Sequence, residues 1–133
     1  MRTIFEIPGE PMGKQRARTV TGHTYTPQKT VNYETLVKEM FWLAKGKKLE
    51  GEVSIIVTAF FSIPQSKSNK QKLRMKCGDI RPTKKPDCDN ILKIVCDALN
   101  KIAYDDDSQI VTAQVNKYFT NEQPKVIVSL FSF

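Results

Sequence analysis

The chain has one histidine, His23, and three cysteines in 133 residues. A single imidazole cannot complete a two-Cys, two-His zinc finger, and Cys77, Cys88 and Cys96 match no disulfide framework in number or spacing. Long apolar runs are missing as well: nothing approaches the roughly 18 consecutive apolar residues of a membrane span. The opening Met-Arg-Thr-Ile-Phe-Glu-Ile-Pro-Gly-Glu-Pro lacks the apolar stretch of a secretory leader. No Gly-x-x-x-x-Gly-Lys phosphate loop occurs, so no nucleotide cofactor is expected. The composition, 40% hydrophobic and 26% charged, is that of an ordinary globular chain. These absences together lead to the expectation of a reduced, soluble, cytoplasmic single domain over residues 1–133 with no membrane contact.

What the sequence does have is unevenly placed charge. Lys and Arg number 21 against 14 Asp and Glu, a formal net charge of +7. Residues 14–48 carry eight basic side chains and two acidic ones, and residues 65–85 carry eight basic ones and only Asp79 as an acid. Between residues 87 and 107 the sign reverses, with Asp87, Asp89, Asp97, Asp105, Asp106 and Asp107 against Lys93 and Lys101. A basic surface gripping a polyanion around carboxylates that hold a divalent metal has this distribution. Basic loops that merely neighbour an acidic helix end have it too, and charge alone does not separate the two.

Periodicity outlines the elements. Residues 3–8 read as a short strand stopped by Pro8, and 9–29 as a long loop with Lys14, Arg16 and Arg18, too long for an idle connection. A helix is expected over 30–44, with Tyr33, Leu36, Val37, Met40 and Leu43 or Ala44 on its inner face and Gly46 as its stop. Residues 53–63 alternate apolar and polar as a half-buried strand ended by Pro64. Residues 66–76 suggest a short basic helix in which Ser68 and Gln71 have capping-box spacing and Gly78 closes the end. After a loop over 79–86, the apolar stripe Ile91, Val95, Ala98, Ile102 marks a helix over 89–102. Two strands follow, 109–119 and 125–133. The order β, α, β, α, α, β, β implies an α/β or α+β domain around a mixed, roughly four-stranded sheet.

The chemistry concentrates in the acidic segment. Asp87-Cys88-Asp89-Asn90 stands where a basic loop enters a helix, and an aspartate there is a natural N-cap. Capping accounts for one aspartate. It does not account for two flanking a cysteine, nor for the later run Asp105-Asp106-Asp107, whose mutual repulsion points to an exposed turn or to a bound cation. An EF-hand is excluded, because the fifth position after Asp87 is Ile91 and no glycine follows it. Carboxylates without histidine or paired thiolates suit hard ions, Mg²⁺ or Mn²⁺, and such ions serve phosphoryl chemistry. Lys93 lies four residues after Asp89, the spacing either of a surface ion pair or of a cation beside a reacting phosphodiester. A simple hairpin after the helix would not return Asp107 to Asp87. A longer turn through Ala103-Tyr104, or a second subunit, is required for the carboxylates to meet. His23 has no assigned role, and Cys88 and Cys96 read as small apolar packing groups.

Lys85-Pro86-Asp87-Cys88-Asp89-Asn90-Ile91-Leu92-Lys93, Asp97-Ala98-Leu99-Asn100 and Asp106-Asp107-Ser108-Gln109-Ile110-Val111 resemble the RusA family of Holliday junction resolvases. Gly9-Glu10-Pro11, the basic Lys14 to Arg18, Tyr25-Thr26-Pro27 and Tyr33-Glu34 are similar to phage-type members, so the resemblance spans nearly the whole chain. It implies a homodimeric, Mg²⁺-dependent endonuclease (Mn²⁺ able to substitute) that resolves four-way DNA junctions by paired symmetric incisions in recombination and repair. Carried onto this sequence, it places the catalytic, metal-holding carboxylates at Asp87, Asp89 and Asp107 and an essential lysine at Lys93. Asp106 is the alternative third carboxylate, whereas Asp97 and Asp105 are not required by the match. Contacts to DNA are expected from Lys14, Arg16, Arg18, Lys67, Lys70, Lys72, Arg74, Lys76, Lys84 and Lys85. The rival readings are a non-catalytic basic nucleic-acid-binding module, with bases stacking on Tyr25, Phe41 or Trp42, and a related metal-dependent nuclease for other branched DNA.

Overall fold

The computed structural model describes residues 1–15 and 18–133; of Arg18 and Val20 it describes the backbone only. Strand β1 spans Arg2–Pro8, β2 Arg18–Val20 and β3 His23–Tyr25, followed by helix α1, Gln28–Leu43, and strand β4, Val53–Ser62. Helices α2, Asn69–Lys76, and α3, Cys88–Leu99, lead through a 3₁₀ turn at Asp107–Gln109 into β5, Ile110–Thr120, and β6, Lys125–Ser132. The sheet order is β1-β6-β4-β5. β6 is antiparallel to both β1 and β4, and β4 is parallel to β5. A parallel pair needs a crossover, and α2 and α3 supply it. The expected mixed four-stranded α+β domain is therefore what the chain forms.

β4 alternates because it is an inner strand with one covered face. Val53, Ile55, Val57, Ala59 and Phe61 are buried. They continue across the register into Leu130, Val128 and Val126 of β6, then Thr3, Phe5 and Ile7 of β1. α1 and α3 pack on this face: α1 contributes Thr30, Tyr33, Val37 and Phe41, and α3 contributes Ile91, Ile94, Val95, Ala98 and Leu99. Each fully buried aliphatic side chain is worth about 1.5–3 kcal/mol relative to exposure, which makes the α3 face the main anchor of the crossover.

Four expectations need correction. The long loop contains a hairpin, β2 with β3, whose turn residues Thr21 and Gly22 both have positive φ, 51° and 79°. That is the backbone a tight two-residue hairpin requires. α1 turns inward through Phe41, leaving Leu43 exposed, so Phe41 is unavailable for base stacking, while Tyr25 and Trp42 are exposed. Its left-handed closing residue is Lys45, not Gly46. Gly46 is needed because a Cβ there would stand 2.3 Å from the Phe41 ring. Finally, α3 ends at Leu99 rather than 102, since Asn100 is extended and Lys101 has φ 70°. The chain then folds back through the buried Ala103 and Tyr104, and the Tyr104 hydroxyl donates to the Cys96 carbonyl at 2.7 Å.

α2 begins at Asn69 rather than 66, capped as the Ser68–Gln71 spacing suggests, with the Ser68 hydroxyl accepting from the Gln71 N–H at 3.2 Å. Met75 is its one buried side chain. Everything else on α2, including Lys70, Lys72, Arg74 and Lys76, stays at or near the surface. The open face of the sheet carries Ile4, Ile56, Phe60, Ile127 and Phe131, with Phe60 stacked on Tyr118.

Candidate active site on helix α3

Asp89, Lys93 and Asp97 recur every four residues along α3, so they fall in one row on the face turned away from the core. The 3₁₀ turn brings Asp107 alongside. Asp89, Leu92, Lys93, Cys96, Asp97, Asp107 and Ile110 line one cleft of about 300 Å³. The turn through Ala103 and Tyr104 thus returns the later carboxylate within a single chain. It returns Asp107 to the cleft that Asp89, in the first turn of α3, also lines, and not to the cleft on which the N-cap residue Asp87 opens.

The three consecutive aspartates divide their roles. Asp105 pairs with Lys48 at 2.6 Å, and that hydrogen bond holds its carboxyl below the usual range. Asp106 caps the 3₁₀ turn by accepting from the Ser108 N–H at 3.0 Å, which lowers its pKa as well. The carboxylate of Asp107, the third, has neither an ion pair nor a hydrogen bond among the described residues, and Asp107 lines the cleft.

Gln109 holds this turn in place. Its Oε1 accepts from the N–H groups of Asp105 and Asp106 at 2.7 and 3.1 Å, and its Nε2 donates to the carbonyls of Leu49 and Gly51 at 3.3 and 3.0 Å. No side chain of another shape satisfies both pairs. Gln109→Ala should cost about 2–4 kcal/mol, from a net value of roughly 0.5–1 kcal/mol for each of the four hydrogen bonds lost. A thermal melt should show a fall of several degrees, and an unchanged melting temperature would show the four bonds to be incidental.

Two residues before Asp89, Asp87 is the N-cap residue of α3, yet its side chain makes no capping hydrogen bond. It lines a neighbouring cleft of about 450 Å³ with Lys14, Lys85, Pro86 and Asn90. The simple capping explanation is therefore not realised at Asp87. The expected carboxylate triad is spread over two clefts: Asp89 and Asp107 share one, and Asp87 opens on the other. Among the described residues no three His, Cys, Asp or Glu side chains are grouped closely enough to hold an ion by themselves. A pair of unengaged hard oxygen donors still fits Mg²⁺, which is usually held by one or two carboxylates with water and substrate phosphate completing the shell. Cys96 adds no thiolate, because burial pushes its thiol up to about 11.

Lys93 pairs with Asp97 at 3.4 Å and not with Asp89. Asp97 also meets Lys14 at 3.3 Å, and Lys14 is bound to Glu34 of α1 at 2.9 Å. Burial disfavours the Lys14 ammonium, but Glu34 and Asp97 outweigh it and raise its pKa above the ordinary lysine value. Lys14, expected among the DNA-contacting cations, thus has its charge taken up internally. Arg16 lies outside the described residues, as does the Arg18 side chain.

The remaining basic residues form an outer set. Lys67, Lys70, Arg74, Lys76, Lys84 and Lys85 are exposed. Lys72 and Lys76 line a groove of about 540 Å³ between α2 and the β5–β6 turn. Lys84 offers its carbonyl to the Lys117 ammonium, while Arg81 stacks on Tyr118 and bonds the Lys117 carbonyl, fastening the 79–86 loop to the edge of β5.

The pattern of the family described as Endodeoxyribonuclease RusA matches residues 8–130, a span that takes in the α3 row, the 3₁₀ turn, β4, β5 and most of β6. The chain belongs to the RusA endodeoxyribonuclease family. It is also 36% identical over 133 residues to "Uncharacterized protein YqaN" of Bacillus subtilis (strain 168), covering 95% of this chain and 93% of that one. For a RusA-family chain the general reaction is endonucleolytic cleavage of DNA, which gives the outer basic set a polyanionic substrate. No helix among the described residues is long and apolar enough to cross a membrane.

The sequence alone gives two residues of this RusA-family site no role. Asp97 stands at i+4 from Lys93 on the same helix, a spacing that signals their pairing. Glu34 enters the resemblance only as part of Tyr33-Glu34, and it reaches the site through the packing of α1 against α3.

Proposed function

We propose that this chain is a Mg²⁺-dependent endodeoxyribonuclease that cuts four-way DNA junctions as a homodimer, by paired symmetric incisions. The observation that carries the reading is one cleft lined by two unengaged carboxylates, Asp89 and Asp107, and by Lys93, whose ammonium pairs with Asp97. Asp89 and Asp107 would hold the cation, with Asp87 at the adjacent helix end. When bound, the cation supplies an activated water and neutralises phosphate charge. Lys93, a fixed positive charge at the same cleft, stabilises negative charge developing on the scissile phosphate or its leaving oxygen. The α2 cations and Lys84 and Lys85 grip the phosphate backbone outside the cleft. A two-fold dimer presents two identical sites to a two-fold junction, so matched cuts follow from symmetry.

The direct test is incubation of a synthetic four-way junction beside linear duplex of the same sequence, with and without Mg²⁺. Nicks at symmetric positions in the junction alone, abolished by chelator, are expected. Equal cutting of duplex, or chelator-resistant cutting, would overturn the reading. Sedimentation should show a dimer, either free or on junction DNA.

A further inference from the structure

The Lys93 ammonium belongs to a longer chain of charges than its own helix explains. Asp97 Oδ2 stands 3.4 Å from Lys93 Nζ and 3.3 Å from Lys14 Nζ, and Lys14 Nζ stands 2.9 Å from Glu34 Oε2. Burial falls off steeply along this line. The side chains of Glu34, Lys14 and Asp97 are 17%, 21% and 25% exposed, whereas Lys93 is 61% exposed. Two ammonium and two carboxylate groups therefore alternate from a well-packed end at α1 to a free end at the cleft.

An isolated i, i+4 pair on a helix surface holds a lysine weakly, because a long side chain loses rotamer freedom to reach one geometry. This pair differs because its carboxylate is already immobilised from the opposite side. Lys14 is itself fixed at the backbone, its N–H donating to the Asn90 carbonyl at 3.0 Å. Gly13 makes that approach feasible: a Cβ there would stand 2.8 Å from the Pro86 Cβ and 2.9 Å from the Asn90 Cβ. The segment after β1 is thus strapped across the start of α3 and delivers a cation to Asp97. With Asp97 held, the ordering cost of the Lys93 pair is confined to Lys93.

We infer that Asp97, clamped by Lys14 and Glu34, is a positioning residue that aims the Lys93 ammonium at the cleft shared by Asp89 and Asp107. This rests on the nuclease reading, in which Lys93 acts at that cleft. Asp97 touches Lys93 and Lys14, and its part in cleavage runs through Lys93.

The test is a mutant cycle on the full chain, measuring single-turnover junction cleavage, junction Kd and melting temperature. Asp97→Asn keeps the shape and removes the charge. It should lower the cleavage rate about 10- to 50-fold, the range of a mispositioned reacting group, with Kd moved less than threefold. Asp97→Glu should recover most of the rate, because a carboxylate remains within reach of both lysines. The deciding arm is Asp97→Asn combined with Lys93→Ala: if Asp97 acts only through Lys93, the double variant is no slower than Lys93→Ala alone. Losses that multiply, or an Asp97→Asn enzyme at full rate, would overturn the positioning role while leaving the nuclease reading intact. Full activity in Lys93→Ala would instead overturn the nuclease assignment of Lys93, and the positioning role with it. Should Asp97→Asn fail to fold, Lys14→Gln leaves Asp97 charged and loosens only its clamp. It should slow the wild-type background about 3- to 10-fold and the Lys93→Ala background not at all, and equal slowing in both would overturn the proposal.

Discussion

Replacing Asp89 or Asp107 by Asn is expected to reduce junction cleavage roughly 10³-fold or more while junction binding persists. The substitution is nearly isosteric but removes a negative charge from a pair of carboxylates that engage no other group among the described residues. A cation held there as proposed would lower the barrier by roughly several kcal/mol, and each ~1.4 kcal/mol lost is tenfold in rate. Stability should hardly change, because neither side chain makes a bond that folding needs. Binding should stay level or tighten, since a carboxylate next to phosphate repels it. Asp87→Asn is expected to behave alike and, with no cap to lose, to melt at the wild-type temperature. Asp105→Asn is the contrast, breaking a surface pair with Lys48 and leaving the cleft intact. Loss of folding in the Asp89 or Asp107 variants, seen as a lowered melting temperature together with lost DNA binding, would make these aspartates structural and sink the site assignment.

The second large effect is on binding. Junction affinity should fall steeply with salt, with a log–log slope of roughly −4 or steeper, because five or more phosphate contacts each release counterions. Replacing Lys70, Lys72, Arg74 and Lys76 together by Gln keeps residues of good helix propensity and leaves Met75, the buried anchor of α2, in place. The slope should flatten by about 1 for each of the four charges that meets a phosphate. Cleavage at saturating enzyme should survive, since none of the four lines the cleft with Asp89 and Asp107. An anisotropy titration between low and moderate salt reads both quantities. A slope unchanged from wild type would show α2 to be solvated surface and move the DNA grip elsewhere.

Most of the fold is legible in local pattern because most of its elements bury one face. The alternation over 53–63 becomes β4, since an inner strand under helices must hide every second side chain. The stripe Ile91, Val95, Ala98 becomes α3 for the same reason at a different period. Pattern fails where local conformation is set by something other than a buried face. The β2–β3 hairpin rests on two positive-φ residues and β3 is exposed throughout, so no hydrophobic period announces it. The last turn expected of α3 is lost because Tyr104 takes the space and hydrogen-bonds the Cys96 carbonyl, a contact no window of sequence contains.

At the site the division is similar. By itself the sequence determines that carboxylates, a lysine and a basic surround occur together without histidine or paired thiolates. It thereby sets the expectation of hard-ion, phosphoryl chemistry, because side-chain type fixes donor hardness and charge. It also puts Asp89, Lys93 and Asp97 in one row, because helical period is a local property. Only the tertiary structure decides which of Asp105, Asp106 and Asp107 is unengaged. That depends on Lys48 and on the carbonyls of Leu49 and Gly51, which are distant in sequence. Likewise only the packing of α1 and of the segment at Gly13 on α3 brings Lys14 against Glu34 and Asp97. The physical reason is range: hydrophobic period and donor chemistry act within a few residues, whereas the pairing of charges is settled by which surfaces the core brings together.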